Sequence, residues 1–338
     1  MSIHSNENPS VPRGTITLYA CGGCGINVVA KLEQFRNGDD PSFAMISPVY
    51  IDMSRSNVVK HTKLSPEHIY VPDDKDGSGK VRVSNKDTII QHTPQILHMF
   101  KPGDLNIVVH STSGGSGSVS APSIVTELLA RGHDVIVFAI GSHDSVIEIE
   151  NNVKTLRDYE SIASKRGRPV PMHYQENPMN GKREEVDENV RNVIVQLSAL
   201  FSRNNGALDS ADLHNWLNYH KLTEFPPKLV ILESESGTID SDATGGTVIS
   251  VATLAKEGMS TSTGQTVEYH CTGFLDEKSN MPQLTEAVHF VLYDGIVAKI
   301  YKALSGKLNS LNEARRSRIN AASIIDMPDK GDHGPTMF

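Results

Sequence analysis

Residues 105–119, with the sequence LNIVVHSTSGGSGSV, place a glycine- and serine-rich loop directly after a short apolar run. The run at 105–110 is apolar almost throughout, as expected of a parallel strand that is covered on both faces. Glycine lets the main chain approach a phosphate closely, and the free amides at a helix start favour an anion. The stretch therefore predicts a phosphate-binding loop after a buried strand, with a flexible surface loop as the alternative.

A second loop of this kind lies at residues 20–27, ACGGCGIN, after a predicted strand at 16–20. Its Cys21 and Cys24 also fit a thioredoxin-like redox pair, in which the helix dipole activates the first thiol. A dinucleotide loop with Asp52 holding a ribose, or a tight turn, are further alternatives. Two such loops after two parallel strands need a polyphosphate that touches both, which weakens the redox and dinucleotide interpretations. The segment 76–80, DGSGK, is a further wall of the site or a hairpin turn.

The rest of the chain predicts an α/β fold. Strands are expected at 16–20, 47–51, 105–110 and 135–140, with helices at 26–35, 86–100, 120–130 and 150–164, which is typical of a doubly wound parallel sheet. Ligands of such sheets bind outside the carboxyl ends of the strands. A long helix at 184–204 and a shorter one at 210–219 follow. Strands at 228–234, 248–255, 266–274 and 287–293 predict a second, smaller domain with a mostly antiparallel sheet, before a last helix at 295–319.

Composition excludes several classes of protein. The chain has 338 residues, 32 basic and 40 acidic, so its net charge of −8 argues against broad binding to nucleic acid or anionic lipid.

No apolar run reaches the length of about 18 residues that a membrane helix needs. Three cysteines do not form a disulfide framework. The polar N-terminus lacks a secretory signal and predicts a flexible arm and a cytoplasmic protein. No GxxxxGK[ST] motif occurs, which excludes a P-loop NTPase.

The order of these segments resembles the tubulin and FtsZ superfamily, whose signature loop reads GGGTG[ST]G. Here residues 113–119 read SGGSGSV, with the first and last glycines replaced, which is similar to the phage tubulins of nucleus-forming bacteriophages, the PhuZ family. Residues 21–28, 51–59 and 208–216 (LDSADLHNW) match further segments of that family, and 324–326 resemble the start of its C-terminal extension.

The resemblance implies a tubulin/FtsZ-like architecture. A GTP-binding domain at 14–183, after an arm at 1–13, would be joined by a central helix and loop at 184–208 to an α+β activation domain at 209–294. A C-terminal helix at 295–320 and an extended tail at 321–338 would complete the chain.

The resemblance also implies the ligands, GTP or GDP with Mg²⁺, and their contacts. The predicted phosphate-binding residues are Gly22, Gly23, Cys24, Gly25, Asn27, Gly77, Gly79, Ser113, Gly114, Gly115, Ser116, Gly117 and Ser118. Asp52 would hold Mg²⁺, with a helix N-cap as its alternative role. Asn177 and Asp187 would contact guanine, and Asp187 could instead be an ordinary solvated helix residue. Glu148 and Asn152 are the candidates for the ribose.

Asp209 and Asp212 are the predicted catalytic pair. The helix at 184–204 would be about 31 Å long at 1.5 Å per residue, so its two ends cannot serve one nucleotide. The pair would act on the GTP of a neighbouring molecule and orient the attacking water. The alternative is that Asp209 caps the next helix, and both roles are compatible.

The resemblance implies a self-polymerising GTPase whose filaments position the phage nucleus in the host bacterial cytoplasm, with the phage nucleus or capsids as cargo. No direct contact with nucleic acid or membrane is expected. Tail residues Ile324, Ile325, Asp326 and Asp329 would dock on the next subunit's last helix, near Lys299, Lys302, Arg315 or Arg318. The alternatives are a nucleotide-dependent oxidoreductase of the Rossmann class and a filament without hydrolysis.

Overall fold

The computed structural model describes residues 13–32, 40–72, 77–179, 181–275, 281 and 284–319. The predicted arm, apart from Arg13, and the whole tail, including Ile324, Ile325, Asp326 and Asp329, lie outside the described residues. Within the described ranges, no helix is long and apolar enough to cross a membrane.

Ten strands form one continuous sheet in the order β3-β2-β1-β4-β5-β6-β7-β10-β8-β9. Their bounds are β1 Thr15–Cys21, β2 Met45–Ile51, β3 Ile69–Tyr70, β4 Leu105–Ser111, β5 Val135–Gly141, β6 Val170–Glu176, β7 Leu229–Ser236, β8 Thr247–Lys256, β9 Tyr269–Leu275 and β10 Val288–Asp294. The strands from β3 to β7 pair in parallel, whereas β10 is antiparallel to both β7 and β8. The last pair, β8 with β9, is parallel again.

Helices cover both faces of this sheet. Their bounds are α1 Gly22–Ala30, α2 Ser56–Val59, α3 Lys86–Met99, α4 Gly117–Ala130, α5 Val146–Arg166, α6 Arg183–Leu200, α7 Ser210–Leu217, α8 Ser241–Thr244 and α9 Ile296–Ile319. One apolar core lies between the sheet and α1, α6 and α7, and a second lies between the opposite face and α3, α4, α5 and α9. The doubly wound parallel sheet predicted from the sequence is confirmed.

Three details differ from the prediction. Helices α1 and α4 begin directly at Gly22 and Gly117, so the glycine loops are themselves helix starts. Helix α6 has 18 residues, about 27 Å, because the chain turns after Phe201. The sheet of the second half is not separate, because Val170–Met172 of β6 pairs with Leu229–Ile231 of β7.

The direction of the parallel strands defines two edges of the molecule. At the carboxyl edge, β1, β2, β4, β5 and β6 run into the loops predicted to bind nucleotide. At the amino edge, Asp104 and Asp134 directly precede β4 and β5. A seven-residue strand such as β4 is about 23 Å long, which sets the separation of the two edges.

Candidate nucleotide site

A cleft of about 230 Å³ opens at the carboxyl edge, where the two glycine loops meet. It is lined by Cys21, Gly22, Gly23, Cys24, Asp52, Asn57, Gly77, Ser78, Gly79, Ser111, Gly114, Gly115, Ser116 and Gly117. The structure thus brings together most of the residues predicted to bind phosphate. Glycine and serine are ten of the fourteen lining residues.

Glycine is required where the two loops touch. A Cβ on Gly117 would lie 2.6 Å from the Cys21 carbonyl oxygen, and one on Gly25 would overlap the Val109 carbonyl oxygen. Gly22 has a φ of 72°, which L side chains rarely adopt. A side chain at Gly117 would force the two loops apart, and one at Gly25 would force the first loop away from β4.

Two helix starts point into this cleft. The residues before α1 and α4, Cys21 and Ser116, make no side-chain cap, and neither first turn contains an acidic residue. The first-turn amides therefore have no side-chain acceptor within the described structure. Uncapped amides and the positive end of each helix dipole together favour a bound anion.

Asp52 supplies a carboxylate at the end of β2. It is 4% exposed and accepts hydrogen bonds from Asn57 Nδ2 at 2.6 Å and from the Met53 amide at 2.7 Å. Burial raises the pKa of Asp52, which these hydrogen bonds partly offset. The alternative role as a helix cap is wrong, because Arg55 occupies the N-cap of α2. Among the described residues, no group of three or more His, Cys, Asp or Glu side chains could hold a metal ion. A cation at Asp52 would therefore need further oxygen atoms from the nucleotide or from water.

The two cysteines of this loop are poor redox groups. Cys21 is fully buried, and burial raises the pKa of both Cys21 and Cys24 to about 12. A thiol with such a pKa carries almost no thiolate at neutral pH, and the thiolate is the nucleophile. This disfavours the thioredoxin-like interpretation and leaves Cys24 as a small residue of the cleft lining.

Helix α5 ties the third loop to the second, a role that the sequence analysis missed. Asn151 Nδ2 donates to the carbonyl oxygens of Lys80 at 2.9 Å and Ser113 at 3.0 Å. Glu148 forms an ion pair with Lys80 Nζ at 2.7 Å. In the sequence, the adjacent polar residues Asn151 and Asn152 inside an amphipathic helix were the only indication of this role. The loop at 77–80 is therefore held against the cleft before any ligand arrives.

The structure does not present all the predicted contacts to the cleft. Asn152 is completely buried, where it accepts from Thr112 Oγ1 at 2.6 Å and donates to the Ser142 carbonyl oxygen at 2.8 Å. Asn27 is exposed on α1 and lies 2.8 Å from His61 Nε2, outside the cleft lining. Glu148, 5% exposed, is engaged by Lys80. The ribose contacts of Glu148 and Asn152 stay predictions, and the hydrogen bonds of Asn152 leave it little capacity for a ligand.

The two residues predicted to contact guanine, Asn177 and Asp187, follow β6 at the carboxyl edge of the sheet. Asn177 follows β6, and its side-chain oxygen is buried without a hydrogen-bond partner in the described structure. Asp187, in the first half of α6, is partly buried. The pKa of its carboxyl group is raised overall, because the effect of burial exceeds the lowering by Arg191 and Lys31. Its charge is also a cause, after burial, of the raised pKa of Cys24. Asp187 therefore lies near the cleft rather than on a fully solvated helix face.

Asp209 and Asp212 lie at the amino edge and form a reciprocal cap of α7. Asp209 Oδ1 accepts from the amides of Ala211 at 2.7 Å and Asp212 at 2.9 Å, and Asp212 Oδ2 accepts from the Asp209 amide at 3.1 Å. The predicted capping role is confirmed. Asp209 also lines a cavity of about 580 Å³ together with Asp104 and Asp134, the residues that precede β4 and β5.

The cleft and this carboxylate pair thus occupy opposite edges of one sheet. A strand length of about 23 Å separates them, far beyond the reach of any side chain. An arrangement with a glycine-lined cleft at one edge and paired carboxylates at the other is that of a tubulin/FtsZ-like protein.

Comparison with known proteins assigns the chain within this class. It is 29% identical over 332 residues to a phage tubulin-like protein of Pseudomonas phage phiKZ, covering 95% of this chain and 97% of the relative. It matches a monomeric subunit of TubZ from bacteriophage PhiKZ at 30% identity and a TM-score of 0.73, covering 89% of this chain and 98% of that one. A protofilament of the same TubZ gives a TM-score of 0.79 at 29% identity, covering 95% and 97%. No protein-family model matches.

A phage tubulin PhuZ solved with GDP shares the fold at a TM-score of 0.79 and 23% identity, covering 93% of this chain and 96% of that one. The chain belongs to the phage tubulins of the tubulin/FtsZ superfamily.

Proposed function

We propose that this chain is a GTP-dependent, self-polymerising GTPase in which each active site forms between two subunits. The observation that carries the proposal is the position of the phosphate cleft and of Asp209 and Asp212 at opposite edges of the sheet. Head-to-tail stacking would place the carboxylates of one subunit over the cleft of the next. The protofilament form of the TubZ relative supports this direction of assembly.

The chemistry follows from the groups at each edge. The amides of the two glycine loops stabilise negative charge on the phosphoryl oxygens, and Asp209 and Asp212 orient and polarise the attacking water. Asp52 would hold Mg²⁺, which when bound neutralises phosphate charge. The cap fixes Asp209 before the neighbour arrives, so the carboxylate pays no further ordering cost when the site closes.

The first test of this proposal is nucleotide-dependent assembly. With Mg²⁺ and GTP, filaments should form in negative-stain electron micrographs and inorganic phosphate should be released. ATP should support neither. A chain that binds a nicotinamide dinucleotide and does not assemble with GTP would restore the oxidoreductase interpretation.

Specificity for guanine is assigned to Asp187 and Asn177. A carboxylate accepts from N1 and N2 of guanine, whereas adenine presents no matching pair of donors. Replacing Asp187 by Ala should weaken GTP binding by at least about tenfold, since a hydrogen bond to a charged group is lost. The measurement is a titration with a fluorescent GTP analogue.

Two further variants sharpen this test. Glu188→Ala, at the next, exposed position of α6, is the matched control and should bind GTP as the unaltered chain does. Asp187→Asn should retain part of the affinity, because an amide oxygen still accepts. Unchanged binding by Asp187→Ala would remove this residue from the base site.

The tail is proposed to link subunits along the filament. A groove of about 380 Å³ runs between α5 and α9, with apolar Leu229 and Val297 beside Arg157 and Lys228. Its apolar floor suits Ile324 and Ile325, and Arg157 is the cation that it offers to Asp326 or Asp329, because Lys228 is ion-paired with Asp294 at 2.6 Å and Glu160 also lines the groove. Of the basic residues predicted to receive the tail, Lys299 donates to the Gly245 carbonyl oxygen and Arg315 is exposed, while the side chain of Arg318 lies outside the described residues.

Deletion of residues 323–338 should abolish sedimentable filaments at concentrations where the full chain assembles, because the anchoring segment is lost. GTP affinity should not change, since the cleft lies on the carboxyl edge. A chain shortened only to residue 329 keeps all four anchoring residues and is the control that should still assemble. Normal filaments from the longer deletion would exclude this role of the tail.

The cellular role proposed for these filaments is to position the phage nucleus, or capsids, in the host bacterial cytoplasm. It is supported by the relationship to phage tubulins. Fluorescence microscopy of infected cells that express the Asp209→Asn variant tests this role: a displaced phage nucleus is the expected result, and a centred one would contradict it.

A further inference from the structure

Tyr269, the first residue of β9, reaches across to the proposed catalytic helix α7. Its hydroxyl donates to the Asp212 main-chain carbonyl oxygen at 3.1 Å and lies 3.4 Å from Asp212 Oδ1. Burial is the main reason that the pKa of Tyr269 is raised, to about 12, with Asp212 contributing. The hydroxyl therefore keeps its one proton at neutral pH and can donate it to either of these two oxygens.

The oxygens of the two carboxylates have different surroundings. Asp209 Oδ1 and Asp212 Oδ2 are both engaged by main-chain amides of the cap. This leaves Asp209 Oδ2 and Asp212 Oδ1 as the oxygens that can face a water or a phosphate. Of these, Asp212 Oδ1 lies within reach of the Tyr269 hydroxyl. The direction of that oxygen thus depends on a side chain from the other half of the molecule.

We propose that Tyr269 is a positioning residue for GTP hydrolysis, whose hydroxyl holds α7 and the Asp212 carboxylate in the orientation that meets the neighbouring subunit's nucleotide. The inference rests on the proposed function, because it assigns Tyr269 a role only through Asp212. It also gives the second half of the sheet a part in the reaction, since β9 pairs with β8 over seven residue pairs. The role proposed for Tyr269 is to position Asp212, and it is not itself a catalytic residue.

The test is Tyr269→Phe, which removes one oxygen atom and keeps the ring. Phosphate release per polymerised subunit at saturating GTP should fall about fivefold, the effect expected from the loss of one hydrogen bond of average strength. The GTP concentration for half-maximal rate and the critical concentration for assembly should not change. Tyr219→Phe is the matched control, because the Tyr219 hydroxyl also donates to a main-chain carbonyl oxygen, that of Pro226 at 3.3 Å, away from α7. It should hydrolyse GTP at the full rate.

A double-mutant cycle separates positioning from a general structural role. In an Asp212→Ala background the carboxylate is absent and only the contact of the Tyr269 hydroxyl with the main-chain carbonyl oxygen of residue 212 remains, so Tyr269→Phe should cause a much smaller further loss of hydrolysis there. An equal further loss there, or a full rate for Tyr269→Phe alone, would overturn the inference. If Asp212→Ala itself hydrolyses at the full rate, the proposed function fails as well, and the two failures are thus distinguishable.

Discussion

Filaments of the Asp209→Asn variant should hydrolyse GTP about 100-fold more slowly than filaments of the unaltered chain, the loss expected when a group that assists proton transfer is removed. Asparagine caps a helix as well as aspartate does, so α7 should keep its start and the subunit its stability. Assembly should persist and the filaments should become long-lived, because GTP would remain at the subunit contacts. The measurements are phosphate release per sedimented subunit and filament lifetime after dilution.

Asp209→Ala separates the two roles of this residue. It should lose hydrolysis to the same extent and, in addition, about 1 kcal/mol of unfolding free energy, because the cap is removed. If Asp209→Asn released phosphate at the full rate while Asp209→Ala did not, Asp209 would have only a capping role. The assignment of a catalytic role to Asp209 would then be wrong.

Replacing Gly25 by Ala should lower the free energy of unfolding by about 3 kcal/mol, near the upper end of the usual cost of overpacking. The added Cβ would overlap the Val109 carbonyl oxygen and approach the Ala20 carbonyl carbon to 3.0 Å. Both neighbours are main-chain atoms of buried strands, so neither can rotate away. Helix α1 would have to lift from the sheet, and GTP affinity should fall with it because α1 forms one wall of the cleft. Urea denaturation followed by circular dichroism measures the loss.

Gly306→Ala is the control, because it should change the free energy of unfolding in the opposite direction. Gly306 lies exposed within α9, and nothing lies within 4 Å of an added Cβ. Alanine there should raise the unfolding free energy by about 0.5–1 kcal/mol through its higher helix propensity. A Gly25→Ala protein as stable as the unaltered chain would show that α1 is not packed on β4 as described.

Local sequence signals were sufficient for the parallel half of the fold. The runs at 105–110 and 135–140 are mostly apolar because both faces of β4 and β5 are covered. The glycine loops are recognisable because a residue larger than glycine at position 117 would collide with the Cys21 carbonyl oxygen. The reciprocal cap of Asp209 and Asp212 could also be predicted, since it depends on residues three positions apart.

Contacts between distant parts of the chain could not be predicted in this way. Asn151 bonds to Lys80 across 71 positions and Tyr269 to Asp212 across 57, and neither spacing leaves a pattern in the sequence. The union of the two halves into one sheet depends on three residue pairs between β6 and β7. The hydrogen bonds that occupy Asn152 were hidden for the same reason, because Thr112 and Ser142 become its neighbours only through the fold.

The most direct test of a shared active site is the rate of phosphate release per subunit, measured against protein concentration together with light scattering, in Mg²⁺ and GTP. Since the cleft and the carboxylates of one subunit lie on opposite edges, an isolated subunit should release almost no phosphate. Turnover per subunit should rise at the same threshold concentration as scattering. A turnover per subunit that stays constant through that threshold would show that one subunit contains the whole active site, and would contradict the account.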